Sequence, residues 1–249
     1  MLILAFLFLV AMWASAQNAL AGGGTFLTLP ALMFAGLDAR LANIASTIAL
    51  FPGQVTSAWA AAPLISGVGM LGVRALVLIS LAGGAAGALL LLWTPSDFFE
   101  RLVPWLVLFA TAVFAWGSFL RKPHAEAVLG PGAAAAAQFA ISVYGGYFGG
   151  GIGFLMIAAL SLTGMGVRAI GGTKNLLAGV MNASAVVLFL LFAWSELPWD
   201  IVAATAAGGV AGGYVGGRLL HRVPEKALRL FIILIGLTLT VGLFVRQGA

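Results

Sequence analysis

The sequence predicts an all-α integral membrane protein, an inverted-repeat helical bundle with about eight to ten hydrophobic segments of the length that spans a bilayer. Three observations predict this class. First, 62% of the 249 residues are hydrophobic and 8% are charged, whereas a soluble domain has about 45–50% apolar and about 25% charged residues. Second, hydrophobic stretches follow one another along the whole chain. Third, residues of the first half recur in the second half at one constant spacing.

Ten hydrophobic segments are expected, five in each half. They lie at 2–20, 25–37, 41–61, 72–93 and 101–120, and at 133–148, 152–164, 171–195, 200–219 and 227–246. The segments at 25–37 and 152–164 are the shortest of their halves. Each makes about 20 Å of helix, whereas the hydrocarbon core of a bilayer is about 30 Å thick. We therefore predict that each of these two is one short arm of a broken helical hairpin.

A constant spacing, the one that separates Gly22 from Gly150, relates the two halves over most of their length. The matched pairs are Gly22 and Gly150, Gly23 and Gly151, Phe26 and Phe154, Ala31 and Ala159, Gly36 and Gly164, Arg40 and Arg168, and Gly84 and Gly212. We expect a single membrane domain, 1–249, with a first repeat at 1–120, a cytoplasmic linker at 121–132 and a second repeat at 133–249. An odd number of segments in each repeat turns the second repeat over, as in many secondary transporters.

Basic residues cluster in two loops that four segments separate, so both loops lie on one side of the membrane. They are Arg121, Lys122 and His124 in one loop, and Arg218, His221, Arg222 and Lys226 in the other. The positive-inside rule makes this side cytoplasmic and places both chain ends outside. The sequence Ala14-Ser15-Ala16 imitates a signal-peptidase site, but no Lys or Arg precedes the first segment, as a secretory signal requires. We therefore expect this segment to be retained as the first helix.

The residue types argue against several functions. There is no cysteine, no HExxH or GxSxG motif and no histidine cluster, so we predict no metal site, no cofactor and no enzymatic activity. The seven carboxylates fall in loops or at segment ends, which disfavours a proton relay or a metal-cation site inside the membrane. The net charge of +5 sits in short loops and orients the chain in the lipid bilayer, so no nucleic-acid partner is expected.

A glycine run precedes each short arm. The residues at these two breaks are Gly23, Gly24 and Thr25 in the first half, and Gly150 and Gly151 in the second. Glycine permits unusual backbone angles and the close approach of a ligand. A helix that starts after such a run directs its unpaired N–H groups and its positive dipole end at the break, which favours an anion. The alternative is that the small residues only let the helices pack closely.

The segment after each short arm begins with polar residues. They are Asn43, Ser46 and Thr47 in the first half, and Thr173, Lys174 and Asn175 in the second. A lysine inside the hydrocarbon is costly and indicates a functional site, although it can also reach the nearby interface with its long side chain. Asn182 lies deeper in the same segment as Lys174 and either lines the substrate route or makes a helix–helix hydrogen bond.

These motifs resemble those of a known family. The stretches GGGTFLTLPAL (22–32), GGGIGFLMIAAL (149–160), ANIASTIALFPG (42–53) and GGTKNLLAGVMNA (171–183) are similar to the sulfite exporter TauE/SafE family of bacterial permeases. The resemblance covers nearly the whole chain. It implies a bacterial inner-membrane protein that moves sulfite, sulfoacetate or another small organosulfur or organic anion. It also implies that the glycine runs and the polar helix starts bind the substrate. Gly171-Gly172 departs from the asparagine-containing stretch expected of many relatives.

The residues and the resemblance lead to one hypothesis with three alternatives. A small anion is expected to bind between the two glycine breaks, and the two repeats are expected to rock around it in alternating access. The first alternative is a transporter of another small solute or of a metal ion. The second is a membrane-embedded enzyme or another protein that does not transport, and the third is a passive channel.

Overall fold

The computed structural model describes residues 1–20, 23–116, 129–219 and 225–248. Within these ranges the chain forms ten α-helices joined by short turns. They are α1 (Leu2–Leu20), α2 (Thr25–Phe34), α3 (Ala39–Ala60), α4 (Val73–Trp93), α5 (Ser96–Ala115), α6 (Pro131–Tyr147), α7 (Ile152–Ser161), α8 (Val167–Phe192), α9 (Trp199–Leu219) and α10 (Glu225–Gly248). Single 3-10 turns follow α3 at Ala62–Leu64 and α8 at Trp194–Glu196.

Every predicted hydrophobic segment coincides with one of these helices, so the all-α fold class is confirmed. The main difference lies at α5, which begins at Ser96 rather than at 101. Pro95, the residue before the helix, has an extended backbone, and Asp97 lies in the first turn, where the positive end of the helix dipole stabilises a carboxylate. The predicted linker at 121–132 and its basic residues lie mostly outside the described part of the chain.

The two short arms, α2 and α7, have ten residues each and follow breaks of matching geometry. Gly23 and Gly151 both adopt left-handed backbone angles, with φ of +80° and +77°. Gly36 and Gly164, which end the turns after the arms, are left-handed as well, with φ of +100° and +74°. L-residues with a side chain avoid this region, so glycine is needed at these points. Both pairs are separated by the spacing of the repeat.

The packing of the helices repeats when the halves are exchanged. α1 packs along α9 in the same way that α6 packs along α4, and α3 and α8 cross each other at the centre. The close pairs depend on glycine. A Cβ on Gly212 would overlap the backbone carbonyl of Met12 in α1, and one on Gly87 would overlap the carbonyl of Val143 in α6. Small residues of this kind let membrane helices approach to backbone contact.

The outer surface of the bundle is apolar. α4, α5 and α8 are long and apolar enough to cross a membrane by length and composition, and several shorter apolar helices accompany them. Large side chains exposed on the surface include Trp59, Leu78, Trp93, Trp105 and Phe109. Such a surface is unfavourable in water and favourable in lipid. The chain is therefore a multi-pass membrane protein.

Candidate functional site

A polar cavity lies between helices of both halves. It is lined by Ser15 and Asn18 of α1, Gly53, Gln54 and Ser57 of α3, Ile152 and Gly153 of α7, and Lys174, Asn175 and Ala178 of α8. Asn18, Gln54, Ser57 and Asn175 are half-buried, so the cavity reaches the surface of the bundle. None of the described residues that line it carries a carboxylate.

Lys174 is the charged group of this cavity. It lies in the second turn of α8 and is only 2% exposed. In the part of the chain that the structure describes, no carboxylate lies within ion-pair distance of its ammonium group. An ammonium group removed from water without a counter-charge costs several kcal/mol. The ammonium group of Lys174 is therefore a buried positive charge beside an open cavity.

The start of α7 adds hydrogen-bond donors to the same cavity. Ile152 and Gly153 are its first two residues, and their N–H groups have no partner within the helix because no preceding turn supplies a carbonyl. Gly151 takes the N-cap position in a left-handed conformation, and no side chain caps the helix. The positive end of the α7 dipole and Lys174 therefore act on the same space, and both favour an anion.

The remaining polar lining comes from α1 and α3. The hydroxyl of Ser57 donates to the Gly53 carbonyl within α3, and Asn18 Oδ1 accepts a long hydrogen bond, 3.5 Å, from the Gly24 N–H at the first break. A Cβ on Gly53 would overlap the hydroxyl of Ser15, so glycine at this position lets α1 approach α3. These residues add hydroxyl and amide groups to the lining that they share with Lys174.

Eight of the lining residues were not predicted as site residues from the sequence: Ser15, Asn18, Gly53, Gln54, Ser57, Ile152, Gly153 and Ala178. For Gln54 a signal exists, because it lies one repeat spacing before Asn182, the polar residue that was singled out in the second half. Asn18 precedes the first glycine break by only a few residues, which is a weaker signal. Ser15 and Ser57 carry no signal that distinguishes them from other small residues in apolar helices.

Aromatic rings occupy the space beside the glycine breaks. A Cβ on Gly23 would lie 3.0 Å from the ring of Phe154, and one on Gly151 would lie 3.3 Å from the ring of Phe26. A Cβ on Gly150 would lie 2.5 Å from Phe148. Phe154 also stacks on Phe114 of α5, with ring centroids 3.6 Å apart. Each break is thus packed against a ring of the opposite arm, and the cavity lies to one side of the breaks.

The polar start of α3 contacts the second break. Asn43 Nδ2 donates to the Tyr147 carbonyl at 3.1 Å, where α6 ends, and Thr47 donates to the Asn43 carbonyl at 2.9 Å. The hydroxyls of Thr47 and Thr25 both lie within 4 Å of the position that a Cβ on Gly149 would take. Ser46 shares a buried hydrogen bond with Thr28 of α2, and Thr28 also donates to the carbonyl of Gly24. These residues hold α2 and α3 at the breaks.

Two residues of α8 are held by hydrogen bonds to neighbouring elements. Thr173 Oγ1 accepts from the N–H of Ser66 and donates to its carbonyl, both at 3.0 Å, which holds the loop after α3 against α8. Asn182 Nδ2 donates to Gln54 Oε1 at 2.7 Å across the α3–α8 crossing. Of the residues singled out from the sequence, Lys174 and Asn175 are the two that line the cavity.

Ten apolar helices in the described part of the chain, two short arms after glycine breaks and a polar cavity between the halves define a multi-pass membrane transporter. The family comparison agrees with this class. The model of the sulfite exporter TauE/SafE family matches residues 7–243, and the chain belongs to this family.

Bacterial proteins of similar length align over nearly the whole chain. The probable membrane transporter protein ORF9 of a Sinorhizobium species is 29% identical over 97% of this chain and 92% of its own. The probable membrane transporter protein YfcA of Escherichia coli K12 is 26% identical over 97% of this chain and 90% of its own. A probable membrane transporter protein of Haemophilus influenzae is 24% identical over 99% and 96%. No solved structure matches the chain.

Proposed function

We propose that this protein is a permease for a small anion, such as sulfite or a small organosulfur or organic anion, in the inner membrane of a bacterium. The observation that carries the proposal is Lys174, which is 2% exposed, lacks a carboxylate partner among the described residues and lines an open polar cavity. A buried charge of this kind needs a counter-charge, and the substrate supplies it.

In this proposal Lys174 provides the positive charge, and the surrounding hydrogen-bond donors orient the anion. At an effective dielectric constant of 20, a unit anion about 4 Å from the ammonium group gains about 4 kcal/mol. The N–H groups of Ile152 and Gly153 and the amide of Asn175 donate hydrogen bonds to its oxygen atoms. A metal cation would meet the positive end of the α7 dipole and an ammonium group with no carboxylate ligand, so this alternative is disfavoured.

The residues at the breaks have a supporting role in the proposal. Gly23 and Gly151 adopt a left-handed backbone just before the short arms α2 and α7. We propose that Gly24, Thr25 and Gly150 complete the two breaks, while Asn43 and Thr173 hold neighbouring segments in place. Ser46 and Thr47 occupy the positions equivalent to Lys174 and Asn175. They would therefore line the route when the repeats have rocked to the opposite-facing state.

The orientation proposed for the chain follows from its charges. Both chain ends face outward and the loops rich in Lys and Arg face the cytoplasm. The cavity lies toward the end of α3 and the start of α8, which are the ends nearest the proposed cytoplasmic side. This arrangement corresponds to an inward-facing state.

Uptake into proteoliposomes tests the function. Radiolabelled sulfite is offered alone and with excess sulfate, thiosulfate, sulfoacetate or a neutral solute such as glycerol. We expect saturable uptake that one or more of the anions inhibit and that the neutral solute leaves unchanged. Inhibition by the neutral solute alone, or currents too large for a carrier, would instead support one of the alternative classes.

A further inference from the structure

Gln54 and Asn182 join the two repeats at the crossing of α3 and α8. Asn182 Nδ2 donates to Gln54 Oε1 at 2.7 Å across this crossing. The separation of the two residues along the chain equals the spacing of the repeat, so they are equivalent positions whose side chains meet. Their surroundings differ. Gln54 is half-buried and lines the cavity, whereas Asn182 is 3% exposed and is not among the lining residues.

The direction of this hydrogen bond determines which atom of the Gln54 amide is available to a ligand in the cavity. A primary amide has one oxygen that accepts and one nitrogen that donates twice. Because the oxygen of Gln54 accepts from Asn182, the Nε2 group is the part of the amide that remains for a ligand. A donor is what an anion requires, and it adds to the donors of Lys174 and of the α7 start in the same cavity.

The same two residues could form the reverse hydrogen bond, with Gln54 as the donor. If both amides turned over, Gln54 Nε2 would donate to Asn182 Oδ1, and the Gln54 oxygen would face the cavity. In the structure, Asn182 Oδ1 is instead buried with no partner in the described part of the chain. A buried acceptor without a donor costs free energy. Turning both amides over would leave the buried Nδ2 group of Asn182 without an acceptor instead, so the reversal gains nothing, and the observed arrangement leaves Gln54 Nε2 outside the pair.

We propose that Gln54 is a substrate-binding residue that donates an Nε2 hydrogen bond to the transported anion, and that Asn182 is the positioning residue that orients it. The inference rests on the proposed function, since it assumes that the cavity takes an anion. It extends that proposal by naming a residue that selects for anions and a partner outside the cavity. A substrate that needs acceptors, such as an ammonium compound, would meet the wrong side of the Gln54 amide.

Two single variants separate binding from packing. Gln54→Glu keeps the size of the side chain and replaces its donor by an acceptor. Asn182→Leu keeps the branched shape and the number of side-chain heavy atoms and removes the group that holds the Gln54 oxygen. We expect each variant to raise the KM for anion uptake about tenfold, as for the loss of a hydrogen bond to a charged group. For Asn182→Leu the maximal rate should stay within about twofold of that of the unsubstituted protein, because the side chains that line the cavity are unchanged.

An exchange variant serves as the rescue. Gln54→Asn combined with Asn182→Gln preserves one amide on each helix and the total side-chain volume, so it should return the KM to within about threefold of the original protein. Ser184→Ala is the matched control on α8, because its hydroxyl bonds the Met181 carbonyl of its own helix. It should leave the KM unchanged. Monodisperse elution in detergent confirms that each variant folds.

The measurement uses the labelled anion, among sulfite, sulfate, thiosulfate and sulfoacetate, that the original protein takes up best. A KM for Asn182→Leu within about twofold of the original overturns the inference and leaves the proposed function standing, because a hydrogen bond that only joins helices would not control affinity. A fall in maximal rate with an unchanged KM overturns it in the same way. If the unsubstituted protein takes up none of these anions, the result contradicts both the inference and the proposed function.

Discussion

Phe154 of the second arm packs against Gly23 of the first break, and a Cβ on Gly23 would lie 3.0 Å from two atoms of the ring. The equivalent pair from the other half, Phe26 and Gly151, makes the reciprocal contact. The absence of a side chain at each glycine thus serves two purposes. It permits a positive φ, and it makes room for the ring of the opposite arm. These contacts connect the two repeats where their helices are broken.

Gly23→Ala should therefore destabilise the bundle. The substituted residue would pay about 1–2 kcal/mol for its left-handed backbone and would press on Phe154, so we expect a lower midpoint of thermal unfolding in detergent. Gly171→Ala is the matched control. Gly171 lies inside α8 with nothing within 4 Å of its Cβ position, and alanine favours helix there. Equal midpoints for the two variants would contradict the packing of the breaks.

Lys174→Met should abolish anion uptake without harming the fold. Removing the charge deletes the main attraction for an anion, and we expect a loss of about 100-fold or more in the ratio of maximal rate to KM, since about 4 kcal/mol of Coulomb energy is at stake. The thermal midpoint should stay the same or rise, because a buried unpaired charge is replaced by an apolar chain. Fluorescence-detected elution and uptake measure the two effects.

The matched control for Lys174 is Arg168→Gln on the same helix. Arg168 is exposed at the start of α8, so the variant removes one positive charge from the chain without touching the cavity. Its uptake should remain close to that of the original protein. A similar loss in both variants would mean that overall charge, and not a site at Lys174, controls uptake.

A single cysteine can report on the cavity because the chain contains none. Ser57→Cys places a thiol in the lining, and we expect a water-soluble maleimide to modify it from the side of the membrane toward which the cavity opens. Saturating sulfoacetate, which does not react with maleimide, should slow this reaction severalfold, because a bound anion would shield the thiol in the shared site. Ser80→Cys, at a fully buried position between α4 and α6, should remain unmodified. Modification of both thiols at equal rates would refute the cavity as an accessible site.

Arg40 and Glu196 form an ion pair at the end of α3 opposite the cavity. Arg40 donates to Glu196 at 2.9 Å and to the Leu92 carbonyl at 3.3 Å. Gln54 lies farther along α3, about 21 Å away along the helix axis. Glu196 is 47% exposed and Arg40 is 18% exposed. Glu196→Gln should cost less than about 1 kcal/mol, as for other exposed pairs.

Arg40→Gln should lower the stability more than Glu196→Gln does. It also removes the donor to the Leu92 carbonyl and the packing of the long Arg40 side chain. The two thermal midpoints in detergent, compared with that of the double variant, measure the coupling. A double variant no less stable than Glu196→Gln alone would show that Arg40 contributes nothing beyond the ion pair.

Much of the fold could be predicted because its signals are local. Runs of apolar residues mark helices, and glycine pairs such as Gly36 and Gly164 mark turns that need positive φ. The start of α5 was misplaced because Asp97 and Glu100 look like loop residues, although acidic residues also favour a helix N-terminus. Lys174 and Asn175 stood out because polar side chains are rare inside apolar segments.

The sequence by itself determined the class of the protein, its helices, the positions of the two breaks and the polar start of α8 that contains Lys174, because composition, periodicity and rare residue types are properties of short stretches. Only the tertiary structure decided which faces meet. The packing of the helices puts the rings of Phe26 and Phe154 beside the breaks. It also brings Gln54 and Lys174 into the lining of one cavity, and it allows the hydrogen bond between Gln54 and Asn182. These relationships depend on how helices from both halves cross, and side-chain packing between distant segments leaves no local pattern in the chain.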